Sequence, residues 1–469
     1  MAYNCALRRW AQADSHSSHA GVRSADARLN TKYLQRLSFS GSQLQGRIAV
    51  GGAERSEDLR LRQLLEKLDL RLQEGSLKSS PVKRGLGSNN LLFMACELLL
   101  LGDDKDSFPI LLIEEPEAHL HPQRQLLLMK FLQQKADETP QDSSQIQIIV
   151  TTHSPNLASA IHVENLVLLQ GGKAFSLAPD CTNLEKSDYT FLQRFLDSTK
   201  ANMFFARGLM IVEGDAENIL LPTIASLIGR DFAKNGVSIV NVGGTGLSRF
   251  ARIYQRRNPF EKIEVPVACV TDCDVMPDCA PEIVGKVGAG EKWPSKRQWR
   301  AKKDFSSEEL DKRRKDLRAR ASGQNVETFV SDEWTLEYDL ALCGLGEAVW
   351  IAANLAKWDE QINAKKSTLM SVVRKSRKSY KALVTDNLSR EQLASRIYAE
   401  FTTGSKVSKA TAAQYLASIL EVIQKKPRHK LSVDALRKKL PQYLVQAIDY
   451  VTPKGEGSAG KVAEAVDNA

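Results

Sequence analysis

Residues 208–229 read GLMIVEGDAENILLPTIASLIG. The run Gly208 to Val212 is short and uniformly apolar, the signature of a strand buried on both faces. Glu213 ends it and Gly214 turns the chain. From Asp215 the apolar residues return at helical spacing. Strand, turn and helix place Glu213 at a strand end and Glu217 in a first helical turn. Both can then face the crevice beyond the carboxyl ends of a parallel sheet, where such sheets bind ligands.

Working outward, VPVACVTDCD (265–274) is a second apolar strand that ends in Asp272 and Asp274. Read as extended chain, residues two apart share a face, so both carboxylates can reach one ion. FVSDEWTLEYDL (329–340) is a third acidic segment, in which Thr335 and Glu337 share a face on the same reading. Each carboxylate alone is an ordinary solvated strand end or helix cap. Together they form a hard-oxygen set without matching His or Cys, which favours Mg²⁺ or Mn²⁺ over Zn²⁺. Gathering them in one crevice is costly unless cations neutralise them.

Upstream, ILLIEEPEAHLHPQ (110–123) runs an apolar strand into Glu114 and Glu115. Before it, RGLGSNNLLF (84–93) is a Gly-rich turn, with Gly87 and Ser88, that opens an apolar helix and could bind an anion. After it, IIVTTHSP (148–155) places His153 at a strand end. No G-x-x-x-x-G-K-[ST] loop occurs in the 469 residues, so the usual cradle for the phosphates of ATP is absent. His119, His121 and Glu117 read as a packing loop better than as a metal site. NVGGTG (241–246) reads as a tight turn, and Cys269, Cys273 and Cys279 lack a zinc-ligand spacing.

The order Gly-rich turn, paired Glu, His resembles the second half of an ABC-type ATPase. There Gly87 and Ser88 would be the signature turn, Glu114 and Glu115 the Walker B positions and His153 the switch histidine. The pattern Glu-Gly-x-x-Glu followed by Asp-x-Asp resembles the Toprim domain. The two in succession, over about residues 80–450, resemble the OLD (overcoming lysogenization defect) family of ATP-dependent nucleases. That resemblance implies cleavage of DNA with two Mg²⁺ or Mn²⁺ ions, a homodimer, and a role in phage defence or DNA repair. It implies Glu213, Glu217, Asp272, Asp274 and Glu337 as metal ligands, with Ser331 assisting. It also implies a Lys in GSKVSKATAAQYLA (404–417), Lys409 in preference to Lys406. Glu213, Asp272 and Lys409 would carry the chemistry. One ion would polarise the attacking water and the other stabilise the leaving 3′ oxygen. The chain looks like a version lacking the P-loop portion, so ATP is expected only if a P-loop comes from elsewhere.

The expected fold class is α/β: residues 31–200 a partial ABC-type ATPase domain, 201–346 a Toprim domain with a parallel sheet flanked by helices, and 347–450 a helical region completing the nuclease. Residues 1–30 and 451–469 read as disordered. The Leu pattern of 57–74 reads as an amphipathic helix. The apolar stretch 91–101, LLFMACELLLL, would be poorly covered in a monomer, which argues for the dimer.

The net charge is +9, with 42% hydrophobic and 26% charged residues and seven Cys. An odd Cys count in a long chain fits a reducing cytoplasm. No run of about 20 apolar residues stands out, so no membrane span is expected. Lys and Arg cluster at 292–303 (KWPSKRQWRAKK), 311–320, 374–381 and 425–430. Interleaved with Trp293 and Trp299, the first patch suits a nucleic-acid backbone, with Lys302 and Lys303 among its contacts. Two other classes compete: a Toprim enzyme of topoisomerase or primase type, and a non-catalytic nucleotide-sensing or assembly subunit. A topoisomerase needs a nucleophilic Tyr in a separate domain and a primase a zinc-binding domain, and neither is evident.

Overall fold

The computed structural model describes residues 20–37, 44–50, 68–74, 86–101, 110–138, 145–244, 246–288, 290–402, 407–425 and 430–453. The chain divides into two compact units, Met1–His162 and Val163–Ala469. The sequence drew this boundary near residue 200. Residues 163–200 go with the second unit because Thr182, Asn183 and Asp188 anchor them there. Arg257 donates to the Thr182 carbonyl at 3.1 Å, the Asn183 N–H donates to the Gln255 carbonyl at 2.9 Å, and Arg252 donates to Asp188 at 2.7 Å.

The first unit contains α1 (Ala20–Lys32), β1 (Leu44–Val50), β2 (Leu68–Glu74), α2 (Leu86–Leu101), β3 (Ile110–Glu114), α3 (Pro122–Asp137) and β4 (Gln147–Thr151). β1 and β2 pair antiparallel, and β3 and β4 pair parallel with Glu114 opposite Thr151. Two expectations fail here. Residues 20–30 are helical, not disordered, because Leu29 seats in a core with Tyr33 and Leu34. Residues 68–74 are a strand, not a helix: LDLRLQE alternates with period two, which a count of Leu alone mistakes for a helical stripe. The rest of that stretch, 57–67, and residues 1–19 lie outside the described residues.

The helix α2 buries Leu91, Leu92, Met94, Ala95 and Leu98 against Leu111, Ile113, Leu128 and Phe131 of its own unit. Each buried Leu contributes roughly 1.5–3 kcal/mol. Leu91, Leu92, Met94, Ala95 and Leu98 of the stretch that argued for a dimer are therefore covered within the chain, while Phe93 stays exposed, so that argument for a dimer is weakened.

The second unit holds the hairpin β5 (Val167–Gln170) and β6 (Lys173–Ser176), then four strands β7 (Gly208–Val212), β8 (Val237–Asn241), β9 (Val267–Thr271) and β10 (Val326–Val330). The four form one parallel sheet in the order β10-β9-β7-β8. β7 is wholly buried, as its unbroken apolar run requires. Helices α4 (Asp215–Leu227), α5 (Ser307–Ala319), α6 (Leu336–Leu340), α7 (Gly346–Lys357), α8 (Leu369–Thr385), α9 (Arg390–Ala399), α10 (Lys409–Lys425) and α11 (Gln442–Val451) complete the unit. One continuous core joins α4, α7, α10 and α11 to β7 and β9 through Met210, Leu220, Val349, Leu416 and Ile448. The helical region after residue 346 is thus packed on the sheet.

The run Leu336–Lys357 is long and apolar enough to cross a membrane, with a mean hydropathy of 1.3. It escapes a search for unbroken apolar residues because Glu337, Asp339 and Glu347 interrupt it. Its apolar side is buried in the core, including Leu340, Val349, Ala352 and Ala353. Residue Thr452, assigned to a disordered tail, is buried, and its N–H donates to the Ile448 carbonyl at 3.1 Å. Residues 454–469 lie outside the described residues.

Candidate active site

In the first unit, Glu114 ends β3, and the Glu115 N–H donates to the Thr151 carbonyl of β4 at 2.9 Å. Parallel pairing thus brings the two strand ends together, and His153 Nε2 lies 3.6 Å from Glu115 Oε1. Both side chains are exposed, so the pair adds little stability. Glu117, read from the sequence as part of a packing loop, ties the two loops: its Oε1 accepts from the Thr152 hydroxyl at 2.6 Å and the His153 N–H at 3.0 Å. His121 caps α3, its Nδ1 accepting from the Gln123 N–H at 3.3 Å, which is a structural use. Gly87 lies in the first turn of α2, in the helix and not in a preceding loop. A Cβ on Gly87 would sit 2.3 Å from the His119 carbonyl oxygen. Backbone cannot yield as a flexible side chain can. Gly87→Ala is therefore expected to cost the first unit about 1–3 kcal/mol, read as an earlier thermal transition. An unchanged transition would remove this packing role.

In the second unit, the carboxyl ends of β7 and β9 are neighbours, so Glu213 and Asp272 fall side by side. The Thr271 hydroxyl and the Asp272 N–H lie close enough to the Glu213 carboxylate to favour its ionic form. Gly214 is the N-cap of α4, and a Cβ there would lie 2.8 Å from Glu217 Oε2. Glycine at 214 thus lets Glu217 fold back over the turn toward the strand ends.

The structure corrects how the other carboxylates arrive. β9 ends at Thr271, so Asp272, Cys273 and Asp274 form a turn beyond the strand, with Asp274 at φ +56°. The alternation argument does not apply to them. Likewise β10 ends at Val330, and Glu337 lies in the first turn of α6, where residues two apart do not share a face. Tertiary contacts hold the turn instead. Ser331 Oγ accepts from the Cys273 N–H at 2.7 Å, the Ser331 N–H donates to Thr271 at 2.9 Å, and the Asp274 N–H donates to Trp334 at 3.2 Å. Arg313 of α5 donates twice to the Cys273 carbonyl, at 3.2 and 3.1 Å. Asp339 accepts from the N–H groups of Glu333 and Trp334, both at 3.1 Å, and burial pushes its carboxyl up to about 7.

Lys409, the first residue of α10, donates to Glu337 Oε2 at 2.9 Å. Glu337 is 7% exposed, and an apolar floor of Ala216, Leu220, Leu340, Val349 and Leu416 lies against the pair. Lys409 Nζ also stands 5.5 Å from the centre of the Tyr398 ring. Burial alone would lower the Lys409 pKa, but Glu337, Tyr398 and Asp272 raise it, so the ammonium stays charged. Lys406 lies outside the described residues.

The carboxylates strain one another. Burial, then Glu217, Glu337 and Asp274, push Asp272 well above the usual range, with Lys409 opposing. Burial raises Glu217, with Glu337 and Glu213 adding to it. Burial raises Glu213, with Asp274 adding. Among the described residues no three His, Cys, Asp or Glu side chains are gathered closely enough to hold an ion. The chemistry of the set nevertheless fits a hard divalent cation: oxygen donors whose mutual repulsion such a cation would relieve.

This arrangement makes a pH prediction. Carboxyls raised in the folded state bind more protons there than in the unfolded chain, where they titrate near pH 4. Their contribution to stability is full below that value and is lost as pH rises through the raised values. The metal-free thermal midpoint of the second unit is expected to fall from pH 5 to pH 8, and excess Mg²⁺ or Mn²⁺ to flatten the slope. Equal slopes with and without cation would show that the carboxylates do not share one site.

Sequence reading missed Arg313 and Tyr398. Their signal is tertiary: Arg313 acts 40 residues from the carbonyl it holds.

Residues 68–158 match the family model of an AAA ATPase domain. Residues 204–274 match the TOPRIM domain model of overcoming lysogenization defect protein-like proteins. The chain is 26% identical over 146 residues to "Endonuclease GajA" of Bacillus cereus strain VD045, covering 31% of this chain and 24% of that protein. It is 26% identical over 174 residues to "OLD nuclease" of Thermus scotoductus, covering 35% of this chain and 31% of that protein. Among solved structures, the C-terminal region of the Burkholderia pseudomallei OLD protein matches at 24% identity, over 53% of this chain and 98% of that one, with a TM-score of 0.30. The chain thus spans about a quarter to a third of these curated relatives. The sequence reads as a partial ABC-type ATPase domain followed by a Toprim domain; the first part matches an AAA ATPase domain and the second an OLD-like TOPRIM domain, in that order.

Proposed function

We propose that the chain is a divalent-metal-dependent DNA endonuclease of the OLD type, acting at the carboxyl ends of β7 and β9. The observation that carries this reading is the meeting of Glu213, Glu217, Asp272, Asp274 and Glu337 with one ammonium, Lys409, in a single crevice. Carboxylates that raise one another in this way mark a functional-site candidate, and a divalent cation would relieve their repulsion.

Glu213, Glu217, Asp272, Asp274 and Glu337 would hold the ions, Mg²⁺ or Mn²⁺, two in number. When bound, these supply a polarised water and stabilise the leaving oxygen. No three of these carboxylates are gathered closely enough among the described residues, so holding an ion would require their side chains to turn toward it and to give up their protons. Thr271 and the Asp272 N–H orient Glu213, while Arg313 and Ser331 fix the turn between Asp272 and Asp274. Lys409 sets a positive charge beside the crevice, where it would offset negative charge that grows on the phosphoryl oxygens.

The first unit we read as an ATPase-like module that uses Gly87, Ser88, Glu114, Glu115 and His153 only on ATP held by a P-loop from elsewhere. A homodimer and a role in phage defence or DNA repair rest on the resemblance. The domain assignment becomes an ATPase-like unit to residue 162, then a nuclease unit in which the helices after 346 supply Lys409.

Supercoiled plasmid incubated with the protein and Mn²⁺, with and without ATP, tests the reading. Nicked or linear product supports it. Relaxation into topoisomers would assign a topoisomerase, and unchanged plasmid a sensor or assembly subunit.

A further inference from the structure

We propose that Lys292, Lys296 and Arg300, on the segment between β9 and β10, form the surface that carries the DNA backbone to the carboxylate crevice. This rests on the nuclease reading and names where the substrate lies. Lys302 and Lys303, expected to share that task, are structural.

The segment is fastened directly to the acidic turn. The Met276 N–H, two residues past Asp274, donates to the Arg300 carbonyl at 2.9 Å, and the Lys302 N–H returns to the Met276 carbonyl at 2.9 Å. The Lys303 N–H donates to Asp278 Oδ1 at 2.7 Å. A cation–aromatic stack stiffens it. Trp293 and Trp299 meet edge to face at 4.9 Å, and Arg297 lies 5.3 Å and 4.7 Å from their ring centres. Lys303 Nζ lies 3.0 Å from the centre of the Trp293 ring. Both Trp residues are half-buried in these contacts, so they are cations' partners before they are platforms for bases.

The stack sorts the cations. Arg297 is paired with Asp304. Lys302 is paired with Glu333 at 2.5 Å and Glu391 at 3.1 Å. Lys303 covers Trp293. Lys303 is itself exposed and without an ion pair, but it is seated on that ring, whereas Lys292, Lys296 and Arg300 are exposed with neither an ion pair nor a ring contact among the described residues. Of the nearby acids, Asp304 is paired with Arg297, while Asp278 and Glu291 keep their charge and are fixed by the Lys303 and Gly288 N–H groups, so cations outnumber acids on the segment. What remains outward is positive charge at spacings of four along the chain, on a stiff segment joined to the turn that bears Asp272 and Asp274. A phosphate backbone is the partner that this charge fits, because each contact releases a condensed counterion.

The test is binding of a 30-base-pair duplex, in Ca²⁺, across a salt series, by the full chain. Lys292→Gln/Lys296→Gln/Arg300→Gln is expected to bind at least about tenfold more weakly, with its log–log salt slope smaller by roughly 2.7, three contacts at 0.9 each. Its Mn²⁺ affinity, read by calorimetry, should equal the wild type's. Lys302→Gln is expected to lower the thermal midpoint and leave the salt slope unchanged. A wild-type slope in the triple variant overturns the surface while leaving the nuclease reading intact. A slope that falls in Lys302→Gln instead returns the contact to that residue and overturns the sorting. A wild type that neither binds duplex nor nicks plasmid removes both readings.

Discussion

Asp272→Asn is expected to lower plasmid cleavage in Mn²⁺ by roughly three orders of magnitude, about 4 kcal/mol of lost transition-state stabilisation. The substitution keeps the shape of the side chain and removes one negative oxygen. Asp272 is the carboxylate on which the others press hardest, with Glu217, Glu337 and Asp274 all raising it. Without a cation, that charge is a burden on the fold. Asn at 272 should therefore raise the metal-free thermal midpoint at pH 8, by about 0.5–2 kcal/mol of stability, while activity collapses. Added Mn²⁺ should stabilise the wild type more than the variant. The two measurements together are decisive: a variant that is merely misfolded loses activity and stability at once. Wild-type nicking by folded Asp272→Asn, and by folded Glu213→Ala, would take the crevice out of the mechanism. Duplex binding should survive both changes and can tighten, since a charge that repels the phosphates has gone.

Lys409→Met is the second large effect, and its pattern differs. Cleavage is expected to fall about 10²–10³-fold, the cost of removing one stabilising charge from beside the reacting phosphate. Metal affinity should hold or rise, because the Lys409 ammonium repels a cation and its loss leaves the crevice more negative, which outweighs the support that ammonium gives to ionised Asp272. The carboxylate variants lose metal affinity. A smaller stability loss accompanies Lys409→Met, since Glu337 keeps a buried oxygen without its partner at 2.9 Å. Lys409 is itself 43% exposed, which limits this loss to about 1 kcal/mol. Metal affinity that collapses in Lys409→Met would show that the ammonium works by placing Glu337. Full activity in the variant would remove Lys409 from the site.

Much of the site was legible because it is local. The passage from β7 through Gly214 into α4 is encoded in twenty residues whose apolar period changes once, at Glu213. The second and third acidic segments were found for the same reason, each following an apolar run. Their geometry was not legible. Asp272 and Asp274 were placed on one strand face, yet the strand stops before them. Glu337 was read as extended chain, yet it opens a helix. Both errors come from carrying a period past the end of an element, where backbone direction is set by contacts such as Arg313 on the Cys273 carbonyl. The strand at Leu68–Glu74 failed in the opposite sense, since a period of two was present and the abundance of Leu hid it.

By itself the sequence determined which residue types meet at the sheet's carboxyl edge, the order of the two parts, and the absence of a P-loop from these 469 residues. These are properties of short windows, where periodicity and turn chemistry act over a few bonds. The tertiary structure alone decided the rest. It paired Lys409 with Glu337 across 72 residues. It covered α2 with its own unit's core, and it took Lys302 and Lys303 out of the set of free cations. Each of these depends on which distant segments the chain packs together. No local period records that choice, because its free energy resides in contacts that exist only once the whole unit has closed.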